Sequence, residues 1–243
     1  MVFISYVIKY INPFFQIIGM QTNDFIKVTY SAKIKESGQE FDATGDKIIP
    51  IVIRSDFLIK GLEEALLEMN VNEKKTIEIP PEKAFGPRDP KLIRLVPMAE
   101  FRKHNTDPQP GMFIQADNLR GRVLSVSGGR VKVDFNNPLA GKTLVYDIEI
   151  KGRIENVEEK IKALFEIYTT TDKEKIKIGS INDKEVEIEI PPLINSLYKK
   201  KIADDIIKIL NFERVKFAEV FEKPKENQST DSKEEPISEN LDP

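Results

Sequence analysis

Two alternating stretches, about 110 residues apart, constrain this chain more than anything else in it. Residues 26–34, IKVTYSAKI, put Ile26, Val28, Tyr30, Ala32 and Ile34 on one face and Lys27, Thr29, Ser31 and Lys33 on the other. Residues 143–150, TLVYDIEI, set Leu144, Tyr146, Ile148 and Ile150 against Val145, Asp147 and Glu149. With a period of two, a slip of one residue would turn every apolar side chain outward, so both strands have a dictated register. The later one follows NNPLAGK, where Asn136, Asn137, Pro138 and Gly141 supply turn geometries that few other residues reach cheaply. The second strand therefore reads as completing a sheet that the first began.

Between them the pattern changes several times. ESGQ is a turn, EFDATG leaves it, and IVIRSDFLI is a second extended segment. KGLEEALLEM spaces Leu62, Ala65, Leu66 and Met69 as one face of a short helix, with Asn70 as its stop. KKTIEIPP is a strand ended by prolines. KLIRLVP, MFIQA, GRVLSVSG and RVKVDF, divided by DPQPG and SGG turns, make a small all-β insert over residues 88–133. Beyond Gly152, VEEKIKALFEIY and INSLYKKKIADDIIKIL are helical, whereas EKIKIG, KEVEIEIPP and ERVKFAEVF are strands. Two helices and three strands can bury a core of their own, so residues 153–222 are expected to form a separate α+β domain. Residues 223–243 have no aromatics and two large aliphatics, and are expected to be disordered.

Composition removes several kinds of chemistry. The chain has 243 residues and no cysteine, which excludes disulfides, thiol nucleophiles and Cys-ligated metals. Its one histidine, His104, lies in the polar, loop-like stretch RKHNTDPQPG and reads as a solvated side chain. A net charge of −3 and the lack of a basic run argue against a nucleic-acid partner or an anionic membrane. Residues 1–20 are apolar but interrupted by Lys9, Asn12 and Pro13, which fits neither a membrane helix nor a signal peptide well. A start-site extension with no structural role, a membrane-associating segment and a signal peptide all stay open for them.

FDATG, LIKGLEEAL, AFG and TLVYDIEI, in this order and at these separations, resemble the FKBP family of peptidyl-prolyl isomerases. The PLAGKTL turn, with a β insert between AFG and it, is similar to the SlyD-like branch, whose insert-in-flap module is chaperone-like. Residues past 153 look like the C-terminal domain of long archaeal members. The resemblance implies an α+β fold: an FKBP-type antiparallel sheet wrapped on a short helix, an all-β insert and a C-terminal α+β domain. Residues 21–87 and 134–152 would form the isomerase domain, and the protein would be cytoplasmic.

Rotating an X-Pro amide breaks its conjugation against a barrier of roughly 18–20 kcal/mol. The twisted amide separates less charge than the planar one, so a dry apolar pocket favours it. No nucleophile, metal or cofactor is required. By resemblance the reacting site falls on Tyr30, Asp42, Ile59, Phe85 and Tyr146, with Phe41, Ile51, Leu58 and Leu62 lining it. The Ile59 N–H would bind a substrate carbonyl, and Tyr30 would hold Asp42 in an electrostatic role. Leu62 stands where many relatives carry Trp. Phe85 stands where the family usually has Tyr, which keeps the wall and loses a hydroxyl donor. The tail has no His, so no nickel role is expected.

The insert carries more apolar side chains than four short strands can bury. Ile93, Met98 and Met112 are expected among those that touch clients, which would be unfolded or partly folded polypeptides with X-Pro bonds. Two other readings compete with catalysis. One is a non-catalytic holdase with a weakened pocket, and the other a scaffold that forms a homodimer through residues 153–222.

Overall fold

The structure, a computed structural model, describes residues 19–221 apart from 55, 117, 118 and 170. The apolar N-terminal extension before Gly19 and the acidic tail past Phe221 lie outside the described residues. The two alternating stretches become β1 (Phe25–Ile34) and β9 (Leu144–Ile154), antiparallel from Phe25 opposite Ile154 to Ile34 opposite Leu144. The other edge of β1 carries β2 (Glu40–Ala43) and β3 (Ile49–Val52), and β4 (Lys74–Ile79) pairs with the far edge of β9. IVIRSDFLI is thus extended only in its first part, with turns before the helix.

Helix α1 (Lys60–Leu67) lies on the apolar face of this sheet. Leu62 and Leu66 pack with Ile26, Val28, Ala32, Ile77, Ile79, Leu144, Ile148 and Ile150, nearly all of them fully buried. Each large aliphatic side chain so buried stabilises the fold by about 1.5–3 kcal/mol. Gly61 sets the approach of the helix to β4, since a Cβ there would lie 2.5 Å from Ile79 Cγ2.

The insert forms a second antiparallel sheet of β5 (Ile93–Pro97), β6 (Phe113–Ala116), β7 (Leu119–Ser127) and β8 (Arg130–Asp134), in the order β5-β8-β7-β6. It is not all β. Met98–Lys103 form a helix, α2, which starts after Pro97 and buries Phe101 against Val123, Val131, Val133 and Phe135. A single turn and a half is too short to show a helical period in sequence. His104 is the exposed C-terminal cap of this helix rather than part of a loop.

Three contacts tie the two strands of chain that enter and leave the insert. The Gly141 N–H donates to the Gly86 carbonyl at 2.8 Å. The Asn136 side-chain amide accepts from the Asp89 N–H at 2.8 Å and donates to the Asp89 carbonyl at 3.0 Å, as a backbone peptide would. Arg88 pairs with Asp134. Asn136, legible in sequence as a turn former, therefore also staples the neck.

Contacts divide the chain into residues 1–173 and 174–243. Helix α3 (Val157–Tyr168) belongs to the first unit, although its place past Gly152 groups it with the C-terminal elements in sequence. The Asn156 side chain caps it by accepting from the Glu159 N–H at 3.0 Å. Glu159 pairs with Lys27 at 3.3 Å, Lys160 Nζ lies 5.9 Å from the Phe25 ring centroid, and Tyr168 packs against Phe57 at 5.5 Å. The helix thus meets the back of the sheet, where Phe25 and Val52 are fully buried.

The second unit holds β10 (Lys177–Ile181), β11 (Glu185–Ile190), α4 (Ser196–Leu210) and β12 (Arg214–Glu219). β10 and β11 are antiparallel, while β11 and β12 are parallel and need the α4 crossover between them. Val186, Ile188, Ile190, Ile202 and Ile206 are buried in it. Among the described residues, no helix is long and apolar enough to cross a membrane.

Candidate active site

The site is built around a small residue. On β1, Ala32 is fully buried and stands opposite Asp42 of β2 on one side and Tyr146 of β9 on the other. Two residues earlier on the same face comes Tyr30. Sequence reasoning placed Ala32 on the apolar face but gave it no role, because an alanine in an alternating strand looks like ordinary filler.

Around Ala32 the rings form a wall. Tyr30 and Tyr146 have centroids 6.0 Å apart at 45°, and Phe41 meets Tyr146 edge-on at 6.1 Å and 81°. Ile51 from β3 and Leu58 and Ile59 before α1 pack against the hydrophobic core that contains Tyr146, and Leu62 belongs to that core, 7% exposed. Of the nine residues named from sequence, Leu62 and Tyr146 belong to one hydrophobic core cluster, Tyr30, Phe41, Ile51, Leu58 and Ile59 pack against that cluster, and Asp42 is tied to it through its hydrogen bond with Tyr30. The ninth, Phe85, adjoins Ala84, which packs against the same cluster. It is 38% exposed on the turn after Ala84, and among the described residues no ring packs against it.

Three polar groups edge this apolar surface. The Tyr30 hydroxyl donates to Asp42 Oδ2 at 2.7 Å, while the Tyr30 backbone is fixed through both its N–H and its carbonyl by Thr44. Ile59, extended at φ −66° and ψ 144° as the N-terminal cap of α1, has an N–H that donates to no group among the described residues. The Tyr146 hydroxyl likewise makes no hydrogen bond among them, yet is not sealed from solvent. Burial, then the Asp42 carboxylate, pushes the Tyr146 phenol up to about 12. Burial, followed by the hydrogen bond to Asp42 and its charge, raises Tyr30 further still. Both phenols therefore stay protonated donors across the physiological range. Among the described residues, no group of three or more His, Asp or Glu is placed to hold a metal.

The insert residues part ways. Met98 packs into the insert's own core and Ile93 is half-buried in β5, opposite Asp134. Met112, 37% exposed, lines a cleft of about 690 Å³ with Val96, Phe101, Phe113, Ile114 and His104. Leu95, Phe113 and Leu124 are also exposed, so the insert leaves apolar surface uncovered.

A ring cluster, a tyrosine-held carboxylate and an N–H at a helix start that donates to no described group thus belong to one domain. Comparison with known proteins gives the family. Residues 94–139 match the family model "FKBP26, IF domain", and residues 157–222 match "FKBP26_C-terminal". The chain is 34% identical over 145 residues to the short-type peptidyl-prolyl cis-trans isomerase of Methanocaldococcus jannaschii, covering 54% of this chain and 92% of that one. It is 36% identical over 121 residues to a probable FKBP-type 16 kDa peptidyl-prolyl cis-trans isomerase of Pseudomonas fluorescens, covering 47% and 79%. Against the FKBP-type isomerase SlyD of Helicobacter pylori it is 29% identical over 155 residues, covering 59% and 83%. The chain belongs to the FKBP-type peptidyl-prolyl cis-trans isomerases, and within them resembles the SlyD-like members that carry an insert.

Proposed function

We propose that the chain rotates X-Pro amides in the pocket around Ala32 and receives them from unfolded or partly folded polypeptides held by the insert, in the cytoplasm. The observation that carries this reading is the Tyr30–Asp42 hydrogen bond beside an apolar ring wall. The proline ring lies against Tyr30, Phe41 and Tyr146. The Ile59 N–H binds a flanking carbonyl and fixes the chain direction. Excluding water from the amide favours its twisted, less polar form. The Asp42 carboxylate, acceptor-bound to Tyr30, acts through its field and accepts no proton from the substrate. The Tyr146 hydroxyl supplies the donor that a phenylalanine at 85 cannot.

In this reading residues 21–87 and 134–152 are the catalytic domain and residues 88–133 the client-holding domain. The cleft containing Met112 and the exposed Phe113 and Leu95 support the second role. The test is the refolding of a protein limited by a trans-to-cis prolyl step, with about one enzyme per hundred substrates. Acceleration establishes turnover. Suppressed aggregation at one-to-one ratios without acceleration would leave a holdase and overturn the catalytic reading.

One observation favours a second copy as partner. The C-terminal unit exposes Leu193 at 93%, Leu197 at 59% and Phe221 at 78%. We propose that these residues bury one another in a homodimer. Sedimentation should give a dimer that Leu193→Glu with Leu197→Glu dissociates. A monomeric parent protein would refute it.

A further inference from the structure

We propose that the outer face of the insert, where it meets the catalytic domain, binds acidic client segments that also carry aromatic or aliphatic side chains. This rests on the client-holding role above and specifies the class of client.

Charge is unevenly placed along the chain. Residues 88–136 hold nine Lys and Arg against five Asp and Glu, a net of +4, in a chain whose total is −3. The insert sheet then sorts its residues by face. Gly121 and Val123 of β7 turn toward the face that α2 covers, and Arg120 and Arg122 alternate outward. Gly121 is held to that inner side by packing, since a Cβ there would lie 2.6 Å from Val133 Cγ1 and 2.7 Å from the Phe135 ring. The arginines cannot be turned inward without breaking the insert core.

At the neck end of the outer face lies a cleft of about 640 Å³. Among the described residues its cations are Arg88, Arg120, Arg122 and Lys142, and its one carboxylate is Asp134. That carboxylate is already engaged by Arg88 and by the Asn136 amide at 2.7 Å. Burial works against its charge, but the Asn136 and Arg88 contacts hold it below the usual range, so it stays an occupied anion. Arg122 stands opposite Asp134 in the β7–β8 ladder, and among the described residues neither Arg120 nor Arg122 has a carboxylate within 4.0 Å, so their guanidinium forks can meet carboxylates from outside.

Apolar surface adjoins the free forks. Phe113 is 51% exposed and lies 4.6 Å beneath the Arg120 guanidinium, and Leu124 is 37% exposed. Such a surface suits a peptide in which acidic residues alternate with apolar ones. It suits nucleic acid less well, because a phosphate backbone needs an unbroken basic track and here Asp134 and Leu124 interrupt it. Basic segments are repelled, so the face discriminates as well as attracts. Pro138 and Ala140, which line the same cleft, belong to the turn that leads into β9 and Tyr146. A segment held here raises the local concentration of its prolines beside the pocket.

The test uses the full chain and three labelled, proline-free peptides with identical aromatic and aliphatic residues. Their remaining positions are all Glu, all Gln or all Lys. Fluorescence anisotropy at low salt should rank them Glu, Gln, Lys, with Glu about fivefold to tenfold tighter than Gln, and 1 M salt should erase the gap. Arg120→Gln with Arg122→Gln should abolish the Glu preference, Arg120→Lys with Arg122→Lys should keep most of it, and neither should change isomerisation of a short peptide. Equal binding of Glu and Gln peptides, or a preference that survives the Gln variant, overturns the inference and leaves client holding intact. Failure of all three peptides to bind overturns client holding with it. Displacement of the Glu peptide by single-stranded oligonucleotide at far lower concentration overturns the inference in favour of a nucleic-acid face.

Discussion

The Gly141 N–H reaches the Gly86 carbonyl at 2.8 Å, and both residues have positive φ, 72° and 77°. These two glycines clasp the chain where it leaves the catalytic domain and where it comes back. Alanine at either position should cost about 1–2 kcal/mol from the left-handed backbone alone. At 86 the cost is purely conformational, with nothing within 4 Å of an added Cβ, whereas at 141 the Cβ also presses on Arg88 Cβ at 3.4 Å. Denaturant unfolding of the two single variants and the double should show non-additive losses, because one hydrogen bond is shared.

Tyr146→Phe should lower kcat/KM on a short prolyl peptide by up to about tenfold, the worth of one hydrogen bond, with little change in Tm. Phe85→Tyr should leave the rate unchanged or raise it, since Phe85 is 38% exposed and off the ring cluster. A large fall with Phe85→Tyr would put that residue inside the pocket after all.

Ala32→Leu should fill the space shared by Tyr30, Asp42 and Tyr146. Overpacking of this kind costs about 1–3 kcal/mol. Activity should fall far more than stability, a divergence visible when kcat/KM and Tm are measured on the same preparation. Proportional losses would mean that Ala32 is core alone.

Alkaline pH should destabilise the protein in a defined window. The Tyr146 phenol, about 12 in the fold against an ordinary 10.0, binds its proton more tightly folded than unfolded. Stability from such a group is fully present below pH 10.0 and is lost as pH rises toward about 12. Tyr30 shifts the same way. Following the phenolate absorbance, two of the six tyrosines should ionise only as the chain unfolds, and Tyr30→Phe with Tyr146→Phe should flatten the slope of stability against pH.

Deleting residues 88–133 should reduce acceleration of protein refolding far more than isomerisation of tetrapeptides. The Gly86–Gly141 hydrogen bond lies outside the deleted span, so the catalytic domain keeps its closure. Equal loss on both substrates would count against a client-holding insert.

The catalytic sheet was legible because β1 and β9 alternate strictly, and period two leaves no freedom of face. α1 was legible from Leu62, Leu66 and Met69. Helix α2 was not, since six residues carry no period. The position of α3 was hidden for a different reason: an amphipathic helix announces that it has a buried face, not which sheet receives it. Resemblance supplied the order of the candidate site residues, among them Tyr30, Asp42 and Ile59. It gave no depth, and the 38% exposure of Phe85 is not written in the order of the motifs. The cross-strand neighbours of Ala32, Asp42 and Tyr146, depend on strand pairing, which an alternating pattern does not spell out.

Helix α3 has a consequence for where this protein can be cut. Its residues meet Phe25 and Phe57, and Ile167 borders Val52. A chain shortened to the end of β9 would keep Tyr30, Asp42, Ile59 and Tyr146 and still lay bare an aromatic and a valine that are now wholly shielded from water. The lower bound for a soluble minimal isomerase is therefore set by its rear wall, one helix past the last strand, and not by its chemistry.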